Sequence, residues 1–210
     1  MLINPIIYKS FARVLLRSFV KKRERFGSCS RKNQISDLID FRKITQRQLP
    51  LQVKSLSLKP LVENIFESFR MECKKRDLDF SFNYMLKGNV YVDSKKVEKI
   101  LWNLLVNAIK FTPDSGKVWL NIEFVANQNE THLTFEIGDT GKGMNETEKE
   151  RIFNRFYQIR KSDNIKFDGS GIGLSIVNDL VELHHGTVAV ETEPGKGSKF
   201  TVLLPCQKQS

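Results

Sequence analysis

The sequence predicts an α/β fold: a two-layer α/β sandwich in which a mixed, mostly antiparallel sheet is covered on one face by helices. Three observations carry that expectation. Alternating strands come in pairs around short polar or glycine-rich turns, helical stripes separate the pairs, and the long helix is apolar on one side. The composition suits a packed domain, with 40% hydrophobic and 28% charged residues over 210 positions. Wholesale disorder and collagen-like structure are thereby excluded.

The elements follow in order. Ile35, Leu38, Ile39 and Phe41 form a helical stripe that Pro50 breaks. LQVKSLSL alternates and reads as a short half-exposed strand. Pro60 opens a helix whose Leu61, Val62, Ile65, Phe66 and Phe69 share a face. LDFSFNY and NVYVD read as strands. SKKVEKILWNLLVNAIKF is a long helix, capped by Ser94 or Asp93, with Val97, Ile100, Leu101, Leu104, Leu105, Ala108 and Ile109 inward. KVWLNIEFVA and THLTFEIGD are strands around the turn NQNE. Residues 140–170 have few strong periods. GIGLSIVNDLVELHH is a helix closed by Gly186, and TVAVETE, PGKG and SKFTVLLP form a final hairpin.

Charge is unevenly placed. The chain has 34 Lys plus Arg against 24 Asp plus Glu, a formal net +10. Residues 1–34 hold nine of the basic side chains against Glu24 alone, a net +8, and the body is left near neutral. The basic segment invites a nucleic-acid partner, but no aromatic-basic interleaving in the body supports one. Residues 1–34 read either as a partly ordered extension or as an amphipathic helix making weak membrane-surface contact. No apolar run reaches the roughly 18 residues of a membrane-spanning helix, and no signal peptide is clear. Cys29, Cys73 and Cys206 are widely spaced, which disfavours a disulfide scaffold or zinc site and points to a reducing cytoplasm.

Four segments carry the chemistry: NLLVNAIKFTP at 103–113, DTGKGM at 139–144, GSGIGL at 169–174 and GKGS at 195–198. None is a Walker loop, and GSGIGL is not a dinucleotide fingerprint. Asn103 and Asn107 lie four apart on one helix face. Their amide oxygens suit a hard cation that keeps phosphate and water ligands, and they equally suit solvated positions. Lys110 follows one turn later. Asp139 ends a strand before two glycines, Gly141 and Gly143, where a flat ligand can approach the backbone. Its carboxylate can accept from an exocyclic amine. GSGIGL leads into a helix start, which favours phosphate. The parts read together as an ATP site without a Walker loop.

The order asparagine helix, D-x-G-x-G, F-x-x-F, G-x-G-x-G-L, G-x-G-S-x-F resembles the catalytic, ATP-binding domain of two-component sensor histidine kinases. That domain belongs with the gyrase B, Hsp90 and MutL ATPases and has the Bergerat-type fold. The resemblance covers about residues 57–206, with wording closest to hybrid two-component regulators, and RIFNRFYQ at 151–158 supplies the phenylalanine box through Phe153 and Phe156. It implies ATP and Mg²⁺ as cofactors. It gives Asn107 the metal, with Asn103 nearby, Lys110 a phosphate, and Phe111 the nucleotide's flank. Asp139 reads the adenine amine, and Gly141 and Gly143 form the pocket floor. Residues from about 145 to 170 are the lid, including Phe153, Arg155 and Phe156. Gly169, Ser170, Gly171, Ile172, Gly173 and Leu174 form the hinge and phosphate contacts, and Ser198 places a hydroxyl near adenine. Position 158 is Gln where many relatives have Arg, with Arg155 and Arg160 close by.

The resemblance also implies an acceptor histidine in an H-E/D-x-R-T-P-like box, and the sequence has none. His132, His184 and His185 read as structural. The expected division is a basic extension at 1–34, the remnant of a second dimerisation helix and linker at 35–56, the catalytic domain at 57–206 and a tail at 207–210. The expected activity is protein-histidine kinase chemistry without autophosphorylation of this chain alone. The expected partners are a dimerisation or histidine phosphotransfer domain and a receiver domain. The alternatives are a truncated gene product and a non-catalytic ATP-binding module. Localisation is expected to be cytoplasmic, or on the cytoplasmic side of the inner membrane.

Overall fold

The computed structural model describes residues 50–127, 130–159 and 170–206. The expectations for residues 1–49 and 207–210, and for Arg160 and Gly169, fall outside the described residues.

The described chain runs β1 (Lys54–Leu56), α1 (Lys59–Lys75), β2 (Asp79–Tyr84), β3 (Val90–Val92), α2 (Ser94–Phe111), β4 (Lys117–Asn127), β5 (Glu130–Asp139), α3 (Glu146–Lys149), α4 (Gly173–Leu183), β6 (Thr187–Glu193) and β7 (Gly197–Pro205). Five strands form one sheet in the order β2-β4-β5-β7-β6, and β1 pairs with β3 in a separate ribbon. Among the described residues, only the β2–β4 pair is parallel. The expected mixed, mostly antiparallel sheet is therefore present.

Register decides which face the helices cover. Val118, Leu120 and Ile122 of β4 stand opposite Asp139, Ile137 and Phe135 of β5. Ser198, Phe200 and Val202 of β7 continue those rows. All of these are buried except Ser198. The alternate residues form a polar open face. There Glu136 accepts from Asn121 Nδ2 at 3.1 Å and pairs with Lys199 at 3.7 Å, and Lys199 reaches Glu191 at 3.0 Å. Charged cross-strand neighbours keep that face in water.

On the covered side, Phe66 of α1 stacks on Phe80 of β2 at 4.3 Å, and Phe69 meets Trp102 of α2 at 4.6 Å. The apolar stripe of α2 is wholly buried from Val97 to Ile109, as its spacing predicts. Asp93, rather than Ser94, caps α2: its carboxylate accepts from Lys96 N at 3.3 Å and from Gln52 N at 2.9 Å. The other end of α2 is closed by Arg76, which donates to the carbonyls of Ile109 and Thr112 and pairs with Asp114 at 2.8 Å. A guanidinium at the carbonyl end of a helix complements its dipole.

Two local readings change. The region after residue 140 contains the short helix α3, built on a capping box between Asn145 and Glu148. Gly186 does not supply the left-handed residue that ends α4. His185 does, with φ 57°. His185 N donates to Glu182 O and Gly186 N to Val181 O, a complete Schellman pair. Gly186 is needed for another reason: a Cβ there would collide with Leu203 O of β7. Among the described residues, no helix is long and apolar enough to cross a membrane.

Candidate functional site

The fold brings the four segments together at one end of the sheet. Asp139 is the last residue of β5, in register with Val118 on one side and Ser198 on the other. It is 6% exposed, and its Oδ1 accepts from Gly141 N at 2.7 Å. Burial pushes its carboxyl up to about 6, against the opposing pull of the Gly141 and Ser198 backbone N–H groups. A buried carboxylate with hydrogen-bond capacity left over favours a ligand donor that replaces lost water.

Gly141 and Gly143 join this carboxylate to its neighbours by close backbone approach. A Cβ on Gly141 would lie 2.5 Å from Phe111 O and 2.6 Å from Asp139 Oδ1. The end of α2 therefore rests directly on the D-x-G-x-G turn. Gly143 has φ 62°, and a Cβ there would collide with Glu193 O at the end of β6. Thr192 completes the junction. Its Oγ1 lies 3.0 Å from Met144 N, 2.9 Å from Gly197 O and 3.0 Å from Ser198 Oγ.

The asparagine helix and the second glycine segment also meet. Asn103 and Asn107 are both half-buried on α2, and Asn103 Nδ2 donates to Lys99 O at 2.8 Å. The Oδ1 of Asn103 faces the start of α4, since a Cβ on Gly173 would stand 2.7 Å from it. Ile172 precedes α4 without a side-chain cap, and the first helical bond runs from Ile176 N to Ile172 O. The N–H groups of Gly173, Leu174 and Ser175 thus have no intrahelical acceptor, the arrangement that favours an anion. Ser170 Oγ accepts from Ile172 N at 3.3 Å. Gly171 O accepts from Phe156 N at 2.9 Å, which docks the phenylalanine box on the glycine segment.

The two box phenylalanines differ. Phe153 is half-buried edge-on to Phe200, with ring centroids 6.4 Å apart. Phe156 is 49% exposed and holds a left-handed φ of 63°. Arg155, expected in the lid, pairs with Asp179 of α4 at 3.3 Å.

Lys110 Nζ stands 4.9 Å from the Phe111 ring centroid, and Lys142 Nζ stands 5.1 Å from it. Two cations thus gather on the ring of Phe111, the residue whose backbone abuts Gly141. A cavity of about 340 Å³ reaches Asp139 and Ser198 from the hairpin side, walled by Trp119, Glu191 and Lys199. Asn103 and Asn107 are not part of that wall.

Lys142, Thr192 and Arg76 are the contributors that sequence reasoning missed. Thr192 had a signal: it occupies the inward register of β6 after Val188 and Val190, where a polar residue calls for a partner. Lys142 fills the variable place between two glycines, and Arg76 acts only through tertiary contact.

Residues 92–208 match the family of histidine kinase-, DNA gyrase B- and HSP90-like ATPases. The sensor histidine kinase TmoS of Ectopseudomonas mendocina is 33% identical over 172 residues, which are 82% of this chain and 17% of that one. The circadian input-output histidine kinase CikA of Synechococcus elongatus is 33% identical over 176 residues, 82% of this chain and 23% of its own length. The chain thus spans about a fifth of these curated relatives. The crystal structure of full-length ShkA in complex with AMPPNP superposes with a TM-score of 0.72 at 25% identity, covering 84% of this chain and 36% of that one. The nucleotide-free catalytic domain of histidine kinase ThkA gives 0.62 at 24% identity, covering 73% of this chain and 95% of its own. With its glycine turns, asparagine helix and buried aspartate in one site, this chain belongs to the histidine kinase-, DNA gyrase B- and HSP90-like ATPase family, and carries the ATP-binding domain found in sensor histidine kinases.

Proposed function

We propose that the chain binds Mg-ATP at this site and donates the γ-phosphoryl group to a histidine on a separate dimerisation domain, for relay to a receiver domain. The observation that carries this reading is Asp139, a buried carboxylate held by the N–H of Gly141, a position with no room for a Cβ. It would accept the adenine amine, with Ser198 beside it, and Phe111 would flank the nucleotide. The N–H groups at the start of α4, from Gly173 and Leu174, with Lys110 and Lys142, would hold the phosphate tail.

The donor set fits Mg²⁺ carried by the nucleotide rather than by a protein cage. Among the described residues no group of three or more His, Cys, Asp or Glu side chains could hold a metal. Magnesium keeps phosphate and water ligands and needs only one or two protein oxygens, which Asn107, with Asn103 nearby, would supply. Bound there, the ion would neutralise charge on the transferring phosphoryl group. The chain's residues would position and orient, with no covalent step.

On this reading residues 57–206 are the catalytic domain, 35–56 the linker and end of a dimerisation helix, 1–34 a basic extension and 207–210 a tail, and the protein works in the cytoplasm. Incubation of the full chain with labelled ATP and Mg²⁺ should put no acid-labile phosphate on it. Adding a dimerisation domain that carries the acceptor histidine should label that domain. Failure to label any histidine partner while ATP still binds would leave a nucleotide-binding module and refute the kinase role.

A further inference from the structure

The proposed base pocket contains one hydroxyl whose hydrogen-bonding capacity is used up inside the protein. Thr192 Oγ1 has one proton and two lone pairs. Met144 N, at 3.0 Å, can only donate to it. Gly197 O, at 2.9 Å, can only accept from it. The single Thr192 proton therefore goes to Gly197 O. The third neighbour, Ser198 Oγ at 3.0 Å, must then be the donor. Thr192 is left with nothing to offer a ligand. Ser198, having given its own proton to Thr192, is left with acceptor lone pairs only.

We propose that Thr192 is a positioning residue that sets base selectivity by fixing Ser198 as a hydrogen-bond acceptor. Resting on the nucleotide reading above, this adds the step by which the site tells an amino-purine from an oxo-purine. Ser198 stands directly opposite Asp139 in the β5–β7 register. Asp139, when ionised, is also acceptor-only. Two acceptors side by side pair with the exocyclic amine of adenine. They face the carbonyl oxygen of guanine with no donor, and an unpaired buried acceptor is costly. If Ser198 could turn its proton outward, it would donate to that carbonyl and the discrimination would fall. Thr192 blocks this turn. The same hydroxyl ties Met144, and so the pocket floor, to the hairpin that carries Ser198.

The test is the ratio of ATP to GTP affinity, measured by calorimetry with Mg²⁺ on the full chain. Thr192→Val keeps the side-chain shape and removes the hydroxyl. It should lower the ATP preference about tenfold, the size of one lost hydrogen bond to a polar group. Thr192→Ser should restore it. Ser198→Ala should lose a similar share, and the Thr192→Val, Ser198→Ala double variant should lose no more than Ser198→Ala alone. A general loosening of the fold would weaken both nucleotides and leave their ratio unmoved, so an unchanged ratio in folded Thr192→Val overturns the proposal. Should Thr192→Val not fold, an unchanged ratio in Ser198→Ala overturns it equally. A wild-type chain that binds both nucleotides equally would instead refute the base-pocket reading of Asp139 itself.

Discussion

Asp139 offers the sharpest test of the site, because its burial must appear in the stability of the ligand-free protein. Its carboxyl is pushed from an ordinary 3.8 to about 6 by burial. The folded chain therefore holds this proton up to about pH 6, while the unfolded chain releases it near 3.8. Over that window the folded state binds more protons, so stability falls as pH rises. The contribution is full below about pH 4 and lost by about pH 7, and at about 1.4 kcal/mol per pH unit it amounts to ~3 kcal/mol. Asp139→Asn removes the titration and serves as the reference. Urea unfolding followed by tryptophan fluorescence at several pH values gives both curves. The stability of wild type minus that of Asp139→Asn should decrease by ~3 kcal/mol between pH 4 and 7 and stay flat above. A difference that stays constant over this range would mean a hydrated carboxyl, and the argument for a buried adenine acceptor would fall with it. The ligand should move the other way. An amine bound to Asp139 needs the ionised form, so nucleotide affinity should drop below pH 6.

The end of α4 and the asparagine helix give two further predictions. His185→Gly should stabilise the fold by up to about 1 kcal/mol, because glycine takes the left-handed backbone without strain, whereas Gly186→Ala should destabilise it by more than about 2 kcal/mol through collision with Leu203 O. Thermal unfolding of both variants checks the pair, and equal effects would refute the division of roles. Asn107→Ala should remove the Mg²⁺-dependent part of ATP binding and leave the metal-free part, read by calorimetry with and without a chelator. Retention of the Mg²⁺ effect would return Asn107 to the status of a solvated helix position.

What was legible in the sequence was whatever depends on periodicity. The α2 stripe, the paired strands and the final hairpin follow from spacings of 3.6 and 2 and from turn chemistry, whereas the letters narrow the α2 cap only to Ser94 or Asp93. The candidate site residues stand in the sequence as ordered boxes, and the fold gathers those it describes at one end of the sheet. Contacts between elements were not legible. Arg76 lies 33 residues from the Ile109 carbonyl it caps, and no local pattern announces that. Gly186 reads as the residue that closes α4, because glycine usually takes the left-handed position at a helix end. The structure gives His185 the turn, and the glycine answers to a neighbouring strand instead. The capping box of α3 was present in the letters N-E-T-E, but a four-residue helix has no period to draw attention to it.

The positions of the three histidines bear on the proposed transfer to a separate domain. All three lie among the described residues. His184 is buried, with Nδ1 2.7 Å from Leu180 O, and burial lowers its pKa, so neither ring nitrogen can reach a nucleotide without opening the core. His185 is exposed, but it ends the helix whose first residue, Gly173, lies at the proposed phosphate site. At about 1.5 Å per residue, α4 separates the two by on the order of 17 Å. His132 sits at the far end of β5 from Asp139. Seven residues at about 3.3 Å each put it roughly 23 Å away. In-line transfer needs the acceptor nitrogen within about 3.5 Å of the phosphorus. Rigid elements, not loops, fix these separations, so no small rearrangement closes them. If the site transfers phosphate to histidine at all, the acceptor must be delivered from outside the domain, and the surface around α4 and the phenylalanine box must stay open to receive it.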